Sequence, residues 1–264
     1  MTPPHRVAVV TGGSSGIGAG IAEALAREGW QVVIIGKRRH RLDSTLTALR
    51  RASPAPTPHG HLGLALDVAT ERDMQAMAEQ TLARYGRIDL LVASAGLGKR
   101  DDSKRMLPHP TAELPLEEWN TVIGVNLTGI FLSNRAVIPA MRAQGGGQII
   151  NIGSSTTPAG LRGTPYAPAY CASKFAMVGL TEAIAGEEER NGIRVQVVFP
   201  GPVDTPLVDQ TALARPFGGA VSAEHFADAV VFLAEQPIDA VVVHPHILPF
   251  RGYFNARTDN PGTN

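Results

Sequence analysis

Apolar residues arrive along this chain in two alternating rhythms. Short runs rich in β-branched residues occur at Val7–Val10, Val32–Ile35, Leu62–Leu66, Ile88–Val92, Gly147–Ile152, Arg194–Phe199 and Ala240–Val243. Runs this short and this continuously apolar predict strands buried on both faces, the habit of a parallel sheet. Between them the spacing lengthens to one helical turn. Ile17, Ile21 and Leu25 form one such stripe, Met74, Met77, Ala78 and Leu82 another, and Phe226, Val230 and Leu233 a third. Helical patterning also starts at Leu116 and carries through Trp119, Val125, Phe131 and Val137 to Met141. Strand and helix in alternation predict an α/β fold built on a parallel sheet.

The interruptions are informative. From Leu97 to Leu116 the chain is polar, with Pro108, Pro110 and Pro115. That is longer than an ordinary connection, and loops of this length often serve a function. Leu207–Val221 reads as loop or irregular helix, and Ser53–Pro58 as a surface loop. One domain over residues 1–250, followed by a polar tail over residues 251–264, is the expected organisation.

Composition narrows the class. The 264 residues are 44% hydrophobic and 18% charged, enough for one large core. A formal net charge of zero gives no reason to expect nucleic acid as a partner. The single cysteine, Cys171, excludes an internal disulfide and a cysteine-built zinc site. No run is read as membrane-spanning and the N-terminus has no signal-like apolar stretch, so a cytoplasmic location without a membrane partner is expected.

Candidate chemistry gathers at the predicted C-terminal ends of strands, where open parallel sheets bind ligands. After the first strand stands Thr11-Gly12-Gly13-Ser14-Ser15-Gly16-Ile17-Gly18. A glycine-rich turn between strand and helix lets a backbone approach a pyrophosphate and offers it the helix N-terminus. After the second strand comes Gly36-Lys37-Arg38-Arg39, with no acid before Asp43. An acid here would bond a ribose 2′-hydroxyl, whereas cations suit a 2′-phosphate, so NADP(H) is expected over NAD(H). Asp67 has two readings, a bond to an adenine amine or a part in the cap of the helix beginning near Thr70. Ser94, Ala95 and Gly96 form a small-residue turn that a nicotinamide ribose can approach. Asn126, among apolar neighbours, needs hydrogen-bond partners, either at a helix kink or around a site water. Tyr170 and Lys174 lie one helical turn apart. An ammonium beside a phenol is expected to lower its pKa and equip it for acid–base work on a carbonyl or alcohol.

Taken together, these motifs resemble the short-chain dehydrogenase/reductase family along essentially the whole chain. The carrying residues are the Thr11–Gly18 turn, Asp67-Val68, Asn126, Ser154, Tyr170 with Lys174, and Pro200-Gly201 with Thr205. The resemblance implies a single NAD(P)-binding domain over residues 1–250, a doubly wound Rossmann fold with about seven parallel strands and helices on both faces, and hydride transfer between a nicotinamide and a carbonyl or secondary alcohol. It makes Tyr170 the acid–base group and Lys174 its ribose-bonding neighbour. Ser154 would bond the substrate oxygen, and Asn126 would hold a water. Gly12, Ser14, Ser15, Gly16, Ile17, Gly18, Lys37, Arg38, Asp67, Val68, Ser94, Ala95, Gly96, Pro200, Gly201, Val203 and Thr205 would line the cofactor. A homo-oligomer, tetramer or dimer, joined through the helices near Asn126–Met141 and Tyr170–Arg190 is also implied.

Three departures from the family pattern stand out. Ala93-Ser94-Ala95-Gly96 replaces the usual Asn-Asn-Ala-Gly; residues 155–158 read as an insertion that makes Ser155, and after it Thr156, a rival hydroxyl; and the segment from Leu97 to Leu116 is long. The alternatives that share the fold are a non-catalytic nucleotide-sensing or scaffold protein, and epimerase or dehydratase chemistry.

Overall fold

The computed structural model describes residues 6–55, 59–98, 109–155, 167–205 and 220–249. Seven parallel strands make one sheet in the order β3-β2-β1-β4-β5-β6-β7. They are β1 Val7–Thr11, β2 Gln31–Gly36, β3 Leu62–Ala65, β4 Leu90–Ala93, β5 Gly147–Ile152, β6 Ile193–Pro200 and β7 His246–Ile247. The helices are α1 Gly16–Arg27, α2 Arg39–Ala52, α3 Glu71–Tyr85, α4 Leu116–Ile123, α5 Gly129–Ala143, α6 Pro168–Glu188 and α7 Ala223–Ala234.

Side chains alternate across each strand, so each apolar run supplies two cores. Ala8 and Val10 of β1 pack with Ile21 and Leu25 of α1, Leu42 of α2, and Phe226 and Val230 of α7. Val7 and Val9 point the other way, to Met74 and Met77 of α3, Val137 and Met141 of α5, and Met177 and Ile184 of α6. The doubly wound prediction therefore holds, and the methionine stripe of α3 is core.

α4 and α5 are one continuous helix, Leu116–Ala143, interrupted by a π-helical turn at Gly124–Thr128. Contrary to the expectation from sequence, this helix is long and apolar enough to cross a bilayer by length and composition. Its packing explains the composition. One side lies in the core against α3, β4, β5 and α6, where Ser133 and Asn134 are also buried. A π-turn carries one extra residue per turn and often marks a functional site. Here it holds Asn126, which is wholly buried.

The last strand is displaced from its predicted place. Ala240–Val243 is not a strand; Val241 and Val243 are 58% and 70% exposed, and β7 forms three residues later against Phe199 and Pro200. Arg194 of β6 accounts for the shift. Its guanidinium donates to the carbonyls of Pro237 and Ala240, and to Gln236 at 3.0 Å. Ala240 N–H closes a turn onto the Pro237 carbonyl at 3.0 Å. The N–H and carbonyl of Ala240 are thus committed to that turn rather than to a ladder with β6.

Candidate functional site

The strand order reverses between β1 and β4, so the loops leaving these two strands diverge and open a crevice at their C-terminal ends. Thr11, at the end of β1, ties the two loops. Its Oγ1 accepts from Ser94 N–H at 3.1 Å and Ala95 N–H at 3.3 Å. This bridge answers the Ala93–Gly96 departure: where side-chain amides are missing, a hydroxyl from the neighbouring strand holds the loop. Gly12 has φ +69°, and a Cβ there would lie 2.8 Å from Ala95 Cα. A Cβ on Gly18 would lie 2.5 Å from the Gly12 carbonyl oxygen. Neither contact is tolerable, so the glycines let the turn, α1 and the β4 loop meet at backbone distance. Ser15 is the N-cap of α1 and makes no side-chain cap bond. The first turn of α1, including Ile17 and Gly18, therefore offers backbone donors and a positive dipole end to an anion. Thr205 comes from the far side; its side chain would sit 3.6 Å from a Cβ on Gly16.

At the end of β2, Lys37 Nζ lies 3.1 Å from Asp67 Oδ2. Asp67 Oδ1 accepts from Ala69 N–H at 3.0 Å, and Thr70, not Asp67, is the N-cap of α3. Asp67 thus closes its own turn and pairs with Lys37, and its N–H donates to Asp73 Oδ2 in the first turn of α3 at 2.9 Å while its carbonyl accepts from Thr70 N–H at 3.0 Å, so it takes part in the start of that helix as one of the two sequence readings has it. Arg38 is the N-cap residue of α2. Val68 is buried, and Gly129 must lack a side chain because its Cβ would meet Val68 Cγ2 at 2.9 Å.

The remaining candidates converge at the end of β5. Ser154 and Ser155 are both buried. Ser155 N–H bonds the Pro200 carbonyl at 2.8 Å, and Gly201 N–H bonds that of Ile247 at 2.8 Å, so the β6 and β7 ends fix this corner. Val203 is buried, and Thr205 Oγ1 donates to its carbonyl at 3.1 Å. The Tyr170 hydroxyl is hydrogen-bonded to Ser154. Lys174 is 5% exposed; its Nζ donates to the Ile152 carbonyl at 2.8 Å and lies 5.9 Å from the Tyr170 ring centre. Gly96 closes the top, where a Cβ would be 3.6 Å from Asn126 Oδ1 and 3.9 Å from Lys174 Nζ. The Asn126 amide accepts from Leu97 N–H at 2.7 Å, and donates to the Leu97 carbonyl at 2.8 Å and Ser173 Oγ at 3.2 Å. It binds the β4 loop to α6 as well as sitting at the helix irregularity. Tyr170, Ser154, Lys174, Asn126 and Gly96 thus share one small volume, assembled from four elements.

The electrostatics differ from the expectation. Although part of the Tyr170 side chain meets solvent, its hydroxyl is enclosed. Burial pushes its pKa upward, the Ser154 hydrogen bond pulls the other way, and the net direction is up. Lys174 does not reverse this. Its own pKa is lowered by burial, to about 8, so it is itself a desolvated base with an incomplete hold on its proton above that pH.

Sequence reasoning missed a polar clamp beneath the site. Asn134 of α5 donates to Asn151 Oδ1 of β5 at 3.0 Å, and Asn151 donates to Thr181 Oγ1 of α6 at 3.0 Å. Both asparagines are fully buried. The available signal was an asparagine inside an apolar strand, Ile150-Asn151-Ile152, one turn of strand before Ser154. Of the loops expected near the substrate, residues 99–108, 156–166 and 206–219 lie outside the described residues, as does the tail from residue 250.

A glycine turn at the switch point together with a serine–tyrosine–lysine cluster at β5 carries the sequence resemblance into three dimensions, and comparison with known proteins agrees. The short chain dehydrogenase family profile matches residues 6–215. This chain belongs to the short-chain dehydrogenase family. D-threitol dehydrogenase of Mycolicibacterium smegmatis is 35% identical over 240 residues, 88% of this chain and 86% of that one. A metagenomic short-chain oxidoreductase solved in complex with NADP is 32% identical, with a TM-score of 0.74 over 92% of this chain and 95% of that one. The 3-ketoacyl-(acyl-carrier-protein) reductase of Brucella melitensis, complexed with NADH, is 27% identical, with a TM-score of 0.81 over 94% and 98%. As a short-chain dehydrogenase, the chain is an oxidoreductase.

Proposed function

We propose that this short-chain dehydrogenase transfers a hydride between NADP(H) and a carbonyl or secondary alcohol, with Tyr170 as the acid–base group. The observation that carries the reading is the bonded Tyr170–Ser154 pair one helical turn from buried Lys174, at the mouth of the β1–β4 crevice. The crevice fits a dinucleotide: glycines that a Cβ would jam, an α1 N-terminus without a side-chain cap, and Lys37 held at the end of β2 by Asp67. NADP is supported by that lysine and by the absence of an acid at Gly36, the point where one would bond a ribose diol. When bound, the nicotinamide supplies or accepts the hydride.

The chain's own residues manage the proton. Reduction of a carbonyl develops negative charge on oxygen, and the Tyr170 and Ser154 hydroxyls are placed to meet it together. A raised tyrosine pKa keeps the proton in place at neutral pH, as a donor requires. Oxidation runs the transfer backwards and needs the phenolate. The bond to Tyr170 favours Ser154 over Ser155 as the working hydroxyl. Asn126 and the Ile152 carbonyl hold Lys174 and the β4 loop in register, so the ammonium faces the crevice from a fixed position.

Assembly as a homo-oligomer is part of the proposal. Ala176, Gly179, Ala183 and Gly186 form an exposed small-residue row on α6, and a Cβ on either glycine would meet nothing within 4 Å. The row faces outward, not onto the sheet, which supports close approach of a second helix. Light scattering at micromolar concentration checks it; a monomer refutes it.

The functional test is cofactor turnover by purified protein against a panel of ketones, aldehydes and keto-esters, with NADPH and NADH compared. Tyr170→Phe should keep NADPH affinity and lose roughly 10²–10⁴-fold in rate. Near-normal turnover in that variant would overturn the assignment.

A further inference from the structure

Gly36 and Ser14 face each other across the gap between β2 and the glycine-rich turn. A Cβ built on Gly36 would lie 2.6 Å from Ser14 Oγ and 2.9 Å from Ser14 Cβ. The hydroxyl can rotate away, but the Ser14 Cβ is fixed to the backbone and cannot. Nor can the turn retreat. Gly13 N–H is bonded to the Ile35 carbonyl at 3.1 Å, each one residue before a member of the facing pair. A Cβ on Gly13 would already lie 2.8 Å from Ile34 Cγ2 and 3.0 Å from the Val10 carbonyl oxygen. Turn and strand are stapled side by side with no slack, and the space beyond Gly36 belongs to Ser14.

We propose that Ser14 is a specificity-determining residue for the cofactor: it excludes from position 36 the acid that would bond a ribose 2′,3′-diol. This rests on the reading of the crevice as a dinucleotide site that prefers the 2′-phosphorylated form. Cofactor choice is then set twice, by Lys37 beyond the strand end and by the Ser14 side chain that keeps position 36 a glycine. Adding a carboxylate at 36 does not by itself create an NADH site, because its Cβ displaces the loop that receives the pyrophosphate. Removing the Ser14 side chain together with that change restores the space.

The test uses the full chain and reads binding and melting rather than turnover. Dissociation constants for NADPH and NADH are measured by fluorescence titration for wild type, Gly36→Asp, and Ser14→Gly/Gly36→Asp. Gly36→Asp alone should weaken both cofactors and melt several degrees lower. The double variant should recover the melting temperature and bind NADH at least about tenfold tighter than the single variant. The smaller pair Gly36→Ala and Ser14→Gly/Gly36→Ala repeats the melting comparison without the carboxylate, should the aspartate variant fail to fold. Gly36→Asp that melts like wild type and binds NADH as tightly as the double variant overturns the coupling. A wild type that prefers NADH refutes the NADP reading separately, whatever the variants do.

Discussion

Lys174 is both a charge that burial makes costly and a central group of the site, and the cost can be measured. Replacing it by methionine keeps an unbranched chain of similar length and removes the ammonium. Burial lowers the lysine from its usual 10.5 to about 8. At about 1.4 kcal/mol per pH unit, that is a penalty of about 3 kcal/mol for carrying the proton in the folded state. The variant also orphans the Ile152 carbonyl, which now accepts from Nζ at 2.8 Å, at a cost of about 1–3 kcal/mol. The two effects nearly cancel at neutral pH, so the decisive quantity is the pH dependence. Between about 8 and 10.5 the unfolded chain holds the lysine proton and the folded chain does not, so raising the pH favours folding. Below about 8 both states are protonated and the full penalty stands. Urea unfolding of both proteins at pH 7, 8, 9 and 10 gives the difference in stability, wild type minus Lys174→Met. It should be flat below pH 8 and then grow by up to about 1.4 kcal/mol per pH unit. Parallel curves from pH 7 to 10 would refute the claim that the ammonium is desolvated. In the same variant, cofactor turnover should be lost although stability is kept.

Three further outcomes follow from the geometry. Because burial holds Tyr170 above the ordinary phenol pKa, alcohol oxidation should rise with pH to an alkaline maximum while carbonyl reduction is favoured on the acid side; initial rates in both directions check this, and a neutral oxidation optimum counts against it. His61 accepts from Val32 N–H through Nδ1 at 3.1 Å and is held below its usual pKa by burial and by Arg50, so the fold should lose stability as pH falls below about 6.5, and His61→Gln should blunt that loss in thermal melts from pH 7 to 5. Asn151→Leu removes the bonds that Asn134 and Thr181 make to Asn151, although Asn134 still donates to the Ile130 carbonyl and Thr181 to that of Met177, so urea unfolding should show a loss of about 1–3 kcal/mol in all, with Asn134→Leu/Asn151→Leu costing less than the sum of the single changes.

The sheet was legible because buried parallel strands write themselves as uninterrupted apolar runs, and six of the seven lie where those runs predict. Ala240–Val243 misled for a physical reason: its apolar residues satisfy the pattern, but the deciding contact comes from Arg194, over 40 residues earlier, whose guanidinium gathers the carbonyls of the preceding turn. A pattern read locally cannot see a donor supplied by another strand. The Leu116–Ala143 helix carries the same lesson in reverse. Apolar length alone marks it as able to span a bilayer, and only the tertiary packing of Asn126, Ser133 and Asn134 shows why the apolar side exists.

At the site, residue identity was legible and electrostatic sign was not. Spacing places Tyr170 beside Lys174, and chemistry suggests that the cation lowers the phenol pKa. That argument treats the lysine as a fixed charge in a neutral medium. In the fold both groups are enclosed by the same walls, so desolvation acts on each before either acts on the other. It raises the tyrosine and lowers the lysine, so as pH rises the lysine gives up its proton before the tyrosine does. Under the proposed hydride chemistry, the raised pKa keeps the Tyr170 hydroxyl protonated for donation to a carbonyl, and the reverse reaction needs the phenolate and so a higher pH. Desolvation also explains why the supporting bonds are so numerous. Ile152, Asn126, Ser173 and the Asn134–Asn151–Thr181 clamp hold two uncomfortable groups where solvent would otherwise relax them.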